Sequence, residues 1–82
     1  MTVGGLNMVK YGTIPDGMEA ITKIRYKDPG SLSHLNNDGD KVNVQFYEHV
    51  KGIAPGQSAV FYEGDDVIAG GIIRAGMRSE LQ

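Results

Sequence analysis

Three basic residues recur at every second position near the end of "MEAITKIRYK": Lys23, Arg25 and Lys27. In an extended strand that spacing sends all three to one face. Such a face is either an ordinary solvated surface or an edge that contacts phosphate, for which Arg has the matching bidentate geometry. Tyr26 sits between Arg25 and Lys27. In a regular strand it points to the core, opposite Arg25. To turn outward and stack on a base it needs a bulge or a strand end, which the adjacent Asp28-Pro29 break can supply. Gln57 follows a Pro55-Gly56 pair and carries both a donor and an acceptor. That suits reading a base edge or a ribose, and equally suits capping its own turn.

The remaining polar residues point away from catalysis. His34 and His49 are each isolated, with no second ligand at a metal-binding spacing such as H-x-x-x-H. Asp38, Asp40, Asp65 and Asp66 fall in turn sequences, where Asp is favoured for its own hydrogen bonding. "DGD" and "GDD" have the look of calcium loops, but the twelve-residue frame with its terminal Glu is missing. The Asp65-Asp66 pair has the groups for acid–base chemistry, yet nothing in the sequence encloses it. No glycine run opens a helix, and no G-x-x-x-x-G-K-[ST] phosphate loop is present. With 0 Cys, disulfides, thiolate zinc sites and thiol nucleophiles are excluded together. Neither a cofactor nor a metal is expected to bind this domain.

The elements that must position these residues are short strands. The chain has 82 residues, enough for one domain, and 12 of them are Gly, far above the usual share. Scattered Gly without a period means many turns and bulges. Residues 1–17 carry no clean period and read as a linker with room for one short strand over Leu6–Val9; the barrel domain is expected over residues 18–76, and residues 77–82 as a flexible tail. Met18–Lys27 alternates as a strand, with Met18, Ala20, Thr22, Ile24 and Tyr26 inward. Asp28-Pro29-Gly30 breaks it, and a strand over Ser31–Leu35 follows. Asn36–Asp40 is a hairpin signal. "KVNVQF" turns Val42, Val44 and Phe46 inward and Lys41, Asn43 and Gln45 outward. A bend is expected over Glu48–Gly52, and Ala54-Pro55-Gly56-Gln57 reads as a type II turn. Ser58–Tyr62 and Val67–Arg74 are strands joined at Glu63–Asp66. Gly70-Gly71 marks a bulge or a close approach of backbones. About six strands in so short a chain predict an all-β, closed or half-closed barrel.

The formal net charge is −2. No overall positive field attracts a polyanion, so contact with RNA is expected to be local. No apolar run approaches the roughly 18 residues of a membrane span, and the N-terminus lacks a signal-peptide layout. A cytoplasmic protein with no membrane contact is the expectation.

Taken together, "KIRYKDPG", "VNVQF" and "PGQSAVFYEGDDVIAGGII" resemble the C-terminal domain of the tRNA-specific 2-thiouridylases. In that family a K-[IV]-R-Y-R strand leads to V-x-V-x-F, then to A-x-x-P-G-Q-x-x-V-F-Y, an acidic-Gly turn and a Gly-rich strand ending in Ile. Order and spacing agree from about Thr22 to Ile73. The resemblance implies a six-stranded barrel similar to domain 2 of elongation factor Tu. It implies an enzyme that uses ATP and persulfide sulfur to make 2-thiouridine at the wobble position of tRNA. The ATP loop and catalytic cysteines belong to the family's N-terminal domain, so the isolated chain is not expected to be an enzyme. The expected partners are tRNA, the N-terminal and middle domains, and a sulfur-carrier protein. The family's RNA contacts carry over to Arg25, Tyr26 and Gln57, with Lys23 and Lys27 beside them. Lys27 stands where the family usually has Arg, Asp28 replaces a polar neutral residue, and Ala69 interrupts a Gly triplet. The alternative function is a structural or protein-docking barrel that closes the active site or meets the sulfur donor without touching RNA.

Overall fold

The computed structural model describes residues 1–25 and 27–75. Tyr26 and the tail expected over 77–82 lie outside the described residues. Six strands, β1 (Thr2–Met8), β2 (Met18–Lys23), β3 (Ser31–Asp38), β4 (Lys41–Phe46), β5 (Ser58–Glu63) and β6 (Asp66–Ala75), form one closed barrel in the order β1-β4-β3-β2-β5-β6. Every pairing is antiparallel. Among the described residues no helix is long and apolar enough to cross a membrane.

Alternation builds the core. Ala20, Thr22 and Ile24, Val42 and Val44, and Ala59 and Phe61 alternate into the barrel, and β6, which does not alternate, adds Ile68, Ala69 and Ile73. The two tight hairpins share one device. Asp38 pairs with Lys41 around Gly39-Asp40, and Glu63 pairs with Asp66 around Gly64-Asp65. In each, the first loop residue is a glycine with φ of +67° or +61°, the arrangement of a type II′ turn, whose twist matches the strands it joins. Because Gly39 takes the positive φ, Asn36, Asn37 and Asp38 stay in the ladder, and β3 runs three residues beyond the Leu35 expected for its end.

Two expectations change. The expected linker contributes β1, which closes the barrel against β4 and β6, and it also supplies core residues: Val3 and Ile14 are buried. The residues after β1 lie across the barrel end, held where Asp16 Oδ1 accepts the Asn37 N–H at 2.7 Å and the Asn37 side chain donates to the Ile14 carbonyl. The alternation of "TVGGLNM" is interrupted by a register shift between Gly4 and Asn7, which hides the strand pattern. Second, β2 stops at Lys23 rather than running to Lys27. The Asp28 carboxylate accepts the N–H groups of Ile24 at 3.0 Å and Gly30 at 2.9 Å, giving this backbone a local partner in place of the ladder.

Gly71 is where two backbones meet. A Cβ there would lie 2.6 Å from the Gly4 carbonyl oxygen and 2.7 Å from Val3 Cγ1. Inside the wall between β2 and β3, the Ser33 hydroxyl donates to the Ala20 carbonyl at 2.8 Å, so the Thr22 hydroxyl, 2.7 Å away, donates to Ser33 Oγ.

Candidate nucleic-acid interface

Antiparallel strands sort the connections between two rims. The β2–β3 loop, the long β4–β5 segment, the start of β1 and the end of β6 share one rim. The β1–β2 segment and the two tight hairpin turns share the other. Arg25 and Gln57 fall on the first. The ladder pairs Ile21 with Tyr62, Thr22 with Phe61 and Lys23 with Val60, and continuing that count puts position 25 level with 58. Residues far apart in sequence thus stand on neighbouring strands at one end of the barrel.

Arg25 lies two residues past β2 and is exposed. Its guanidinium Nη2 donates to the Lys51 carbonyl at 2.5 Å, tying the β2–β3 loop to the β4–β5 segment. The contact depends on Gly52, which has φ of +76° and whose Cβ, if present, would lie 1.9 Å from Nη2. Gln57 is exposed at the base of the expected type II turn. Gly56 takes φ of +93°, and the Gln57 N–H donates to the Ala54 carbonyl at 3.3 Å. The turn is clamped to β6 on both sides, because the Gly56 N–H donates to the Ile73 carbonyl and the Ile73 N–H to the Gln57 carbonyl, each at 2.8 Å. Backbone bonds therefore hold this turn, and the side chain is exposed for other work.

Lys23 ends β2 and lies back along the wall, with Nζ 4.7 Å from the Tyr62 ring centre. Lys27 is exposed in the loop. Asp28, which stands where the family has a polar neutral residue, is turned into its own loop by the hydrogen bonds it accepts from two N–H groups. Of the five residues expected to contact RNA, Lys23, Arg25, Lys27 and Gln57 come to one rim; Tyr26 lies outside the described residues.

Two residues missed in the sequence belong with them. Lys51 and Arg74 are exposed at this rim, so it carries Lys23, Arg25, Lys27, Lys51 and Arg74 against Asp28 and Glu48. The opposite rim carries Asp16, Asp38, Asp40, Glu63, Asp65 and Asp66 against Lys10 and Lys41. The small net charge conceals two unlike poles. The sequence does hold a signal for this: the "DGD" and "EGDD" turns are the tight ones, and where successive strands alternate in direction the β3–β4 and β5–β6 turns fall at the same end.

The acidic rim has structural partners. Lys10 Nζ lies 2.8 Å from Glu63 Oε1 and 3.1 Å from Asp66 Oδ2, and the Tyr11 hydroxyl donates to Glu63 Oε1 at 2.6 Å. Hydrogen bonds from Lys10 and Tyr11 pull the Glu63 carboxyl below the usual carboxylate range. The same carboxylate raises Tyr11, and Glu63 together with Asp66 raises Lys10. Among the described residues no group of three or more His, Asp or Glu is arranged to hold a metal ion. Among the described residues all elements are strands, and none offers a helix N-terminus to cradle a triphosphate.

The structure defines a small closed β-barrel module with a basic rim and an acidic rim. The family of aminomethyltransferase beta-barrel domains matches residues 3–73, and the chain belongs to that family. Its relatives include proteins named tRNA-specific 2-thiouridylase MnmA. The one from Amoebophilus asiaticus is 52% identical over 79 residues, covering 95% of this chain and 21% of the relative. The one from Cytophaga hutchinsonii is 48% identical over 81 residues, covering 98% and 22%. A third, from Levilactobacillus brevis, is 43% identical over 60 residues, covering 73% and 16%. The chain spans about a fifth of the length of these relatives.

Proposed function

We propose that this barrel is the tRNA-positioning domain of a tRNA-specific 2-thiouridylase, contacting RNA through its basic rim. In that role Arg25 and Lys27 face backbone phosphates and Gln57 hydrogen-bonds a base edge or a ribose. Thiolation, with ATP and persulfide sulfur, belongs to other domains of such an enzyme. The observation that carries the reading is the gathering of Arg25, Lys27, Lys51 and the clamped Gln57 at one end of a barrel most of whose acidic groups lie at the other. The relatives' names support the substrate.

The test is an amide NMR titration of the chain with an unmodified tRNA at low and at physiological salt. Shifts gathered on Arg25, Lys51, Gly56 and Gln57, weakening with salt, are the expected result. Shifts confined to the acidic rim, or none at high micromolar RNA, would count against it.

A second reading, protein docking without RNA contact, is favoured by one feature of the wall. Leu32 pairs with Ile21, Ile21 with Tyr62 and Tyr62 with Val67, and the Tyr47 N–H donates to the Leu32 carbonyl. This outward row includes Tyr47 at 53% and Leu32 at 47% exposure, the kind of surface that partners cover. Docking predicts that Leu32→Asp reduces thiolation by an enzyme carrying this barrel while tRNA affinity is unchanged.

A further inference from the structure

One place on the barrel wall surrounds an apolar floor with an aromatic ring, a cation and a carboxylate. Ile21 faces outward on β2, and the ladder sets Tyr62 beside it on β5. Lys23, two residues along the same face, reaches across so that its Nζ lies 4.7 Å from the Tyr62 ring centre. On the other flank are Pro29 and Gly30. Gly30 has φ of +95°, and a Cβ on it would stand 2.3 Å from Ile21 Cγ2, so glycine lets the loop pack directly against Ile21 and form this flank. Asp65, from the β5–β6 turn, closes the end away from the basic rim. Together they line a depression of about 450 Å³, within the size range of small-ligand sites. β3 and β5 flank β2, and neighbouring strands lie about 4.7–4.9 Å apart. Tyr62 on β5 and Pro29 in the loop that leads into β3 both line the depression.

We propose that this depression receives one unpaired nucleobase of the bound RNA, and specifically a base with an exocyclic amine. The inference rests on the reading of the rim as an RNA contact and extends it along the wall. The base lies on Ile21 against the Tyr62 ring, the stacking mode used for single-stranded nucleic acid. Lys23 yields the ring face and takes the adjoining phosphate. Stacking outweighs an exposed cation–π contact, and the ammonium gains a charge-assisted bond. Polarity follows from the two ends. The phosphate lies toward Lys23 and the rim, and the base edge lies toward Asp65. An ionised carboxylate only accepts hydrogen bonds, so it pairs with the amine of cytosine, adenine or guanine. It disfavours uracil, whose single ring N–H lies between two carbonyl oxygens.

The test titrates the ¹⁵N-labelled chain at low salt with 5′-CMP, 5′-AMP, 5′-GMP and 5′-UMP in parallel. Expected are shifts at the amides of Ile21, Lys23, Gly30 and Tyr62, with UMP at least about threefold weaker than the other three. Tyr62→Phe keeps the ring and the binding, whereas Tyr62→Leu abolishes the shifts and leaves the rest of the spectrum in place. Asp65→Asn lowers the amine-bearing nucleotides to the UMP affinity. Shifts at Arg25 and Gln57 alone overturn this site and leave the rim reading standing. Shifts at Tyr62 combined with a tRNA that moves nothing at the rim do the reverse. Equal affinity for all four nucleotides overturns the base assignment, and no shifts up to roughly 10 mM nucleotide overturn the site itself.

Discussion

Arg25 has two roles that one substitution confounds: it presents a cation at the rim and it ties the β4–β5 segment through the Lys51 carbonyl. Arg25→Ala should weaken tRNA binding uniformly across sequences and lower the salt slope by about 1. It should also quicken amide exchange at Gly52 and Ile53. Arg25→Lys should restore most of the salt slope and none of the exchange protection, which separates the two roles. An unchanged affinity at sub-saturating tRNA would remove Arg25 from the interface. The buried hydroxyl pair gives a sharper stability test. Thr22→Val removes a donor while Ser33 keeps its bond to the Ala20 carbonyl, so the loss should be about 0.5–1.5 kcal/mol. Ser33→Ala strands the Thr22 hydroxyl in the wall and should cost about 1–3 kcal/mol, the larger of the two in urea titrations. At the acidic rim the Glu63 carboxyl is held below its ordinary value of 4.5, so its contribution is present above that pH and is lost as the pH falls through the lowered value. The thermal stability difference between the wild type and Glu63→Gln should therefore narrow below pH 4.5. Tyr11 and Tyr47, each hydrogen-bonded to a carboxylate, should ionise above 10.0 when followed at 295 nm.

At the scale of elements, two glycines make opposite demands. Gly71 needs space, because a side chain would strike the Gly4 carbonyl; Gly56 has open space but a backbone conformation that side chains resist. Gly71→Ala should destabilise by about 1–3 kcal/mol and strip exchange protection from β1. Gly56→Ala should cost about as much through strain, yet leave β1 protected while shifting Gln57 and lowering RNA affinity. The same contrast shows what could be read from the sequence. β4 was legible to the residue, because strict alternation with one face buried admits a single register. The type II turn was legible because Pro-Gly chemistry is local. β1 was not, because Val3 is buried only once β4 and β6 lie on either side of it, and the bulge breaks the period that would have announced it. Nor could alternation foresee that Asp28 would end β2 early. The rim itself was legible only as separate pieces. Arg25 and Gln57 become neighbours through strand order and register, which no local pattern contains.

For the whole molecule, charge separation matters more than net charge. The barrel extends 33 × 28 × 21 Å, so its poles lie farther apart than the Debye length of about 8 Å at physiological salt. A polyanion at the basic rim is largely screened from the acidic one. If three or four rim cations each cover a phosphate, log K against log salt should have a slope of about −2 to −3. Reversing an acidic charge at the far rim, as in Asp40→Lys, should change tRNA affinity less than about twofold. A steep gain on that reversal would mean that the RNA spans both poles. Closure of the barrel has a different consequence. Thr2 pairs with Ala75, so the described chain starts and finishes at adjacent points on one rim. The fold is in effect a ring, and where the polypeptide is cut is arbitrary to it. Joining those two points with a short glycine linker and opening the chain between Gly39 and Asp40 should regenerate the same six-strand circuit, with its new ends at the pole away from Arg25 and Gln57.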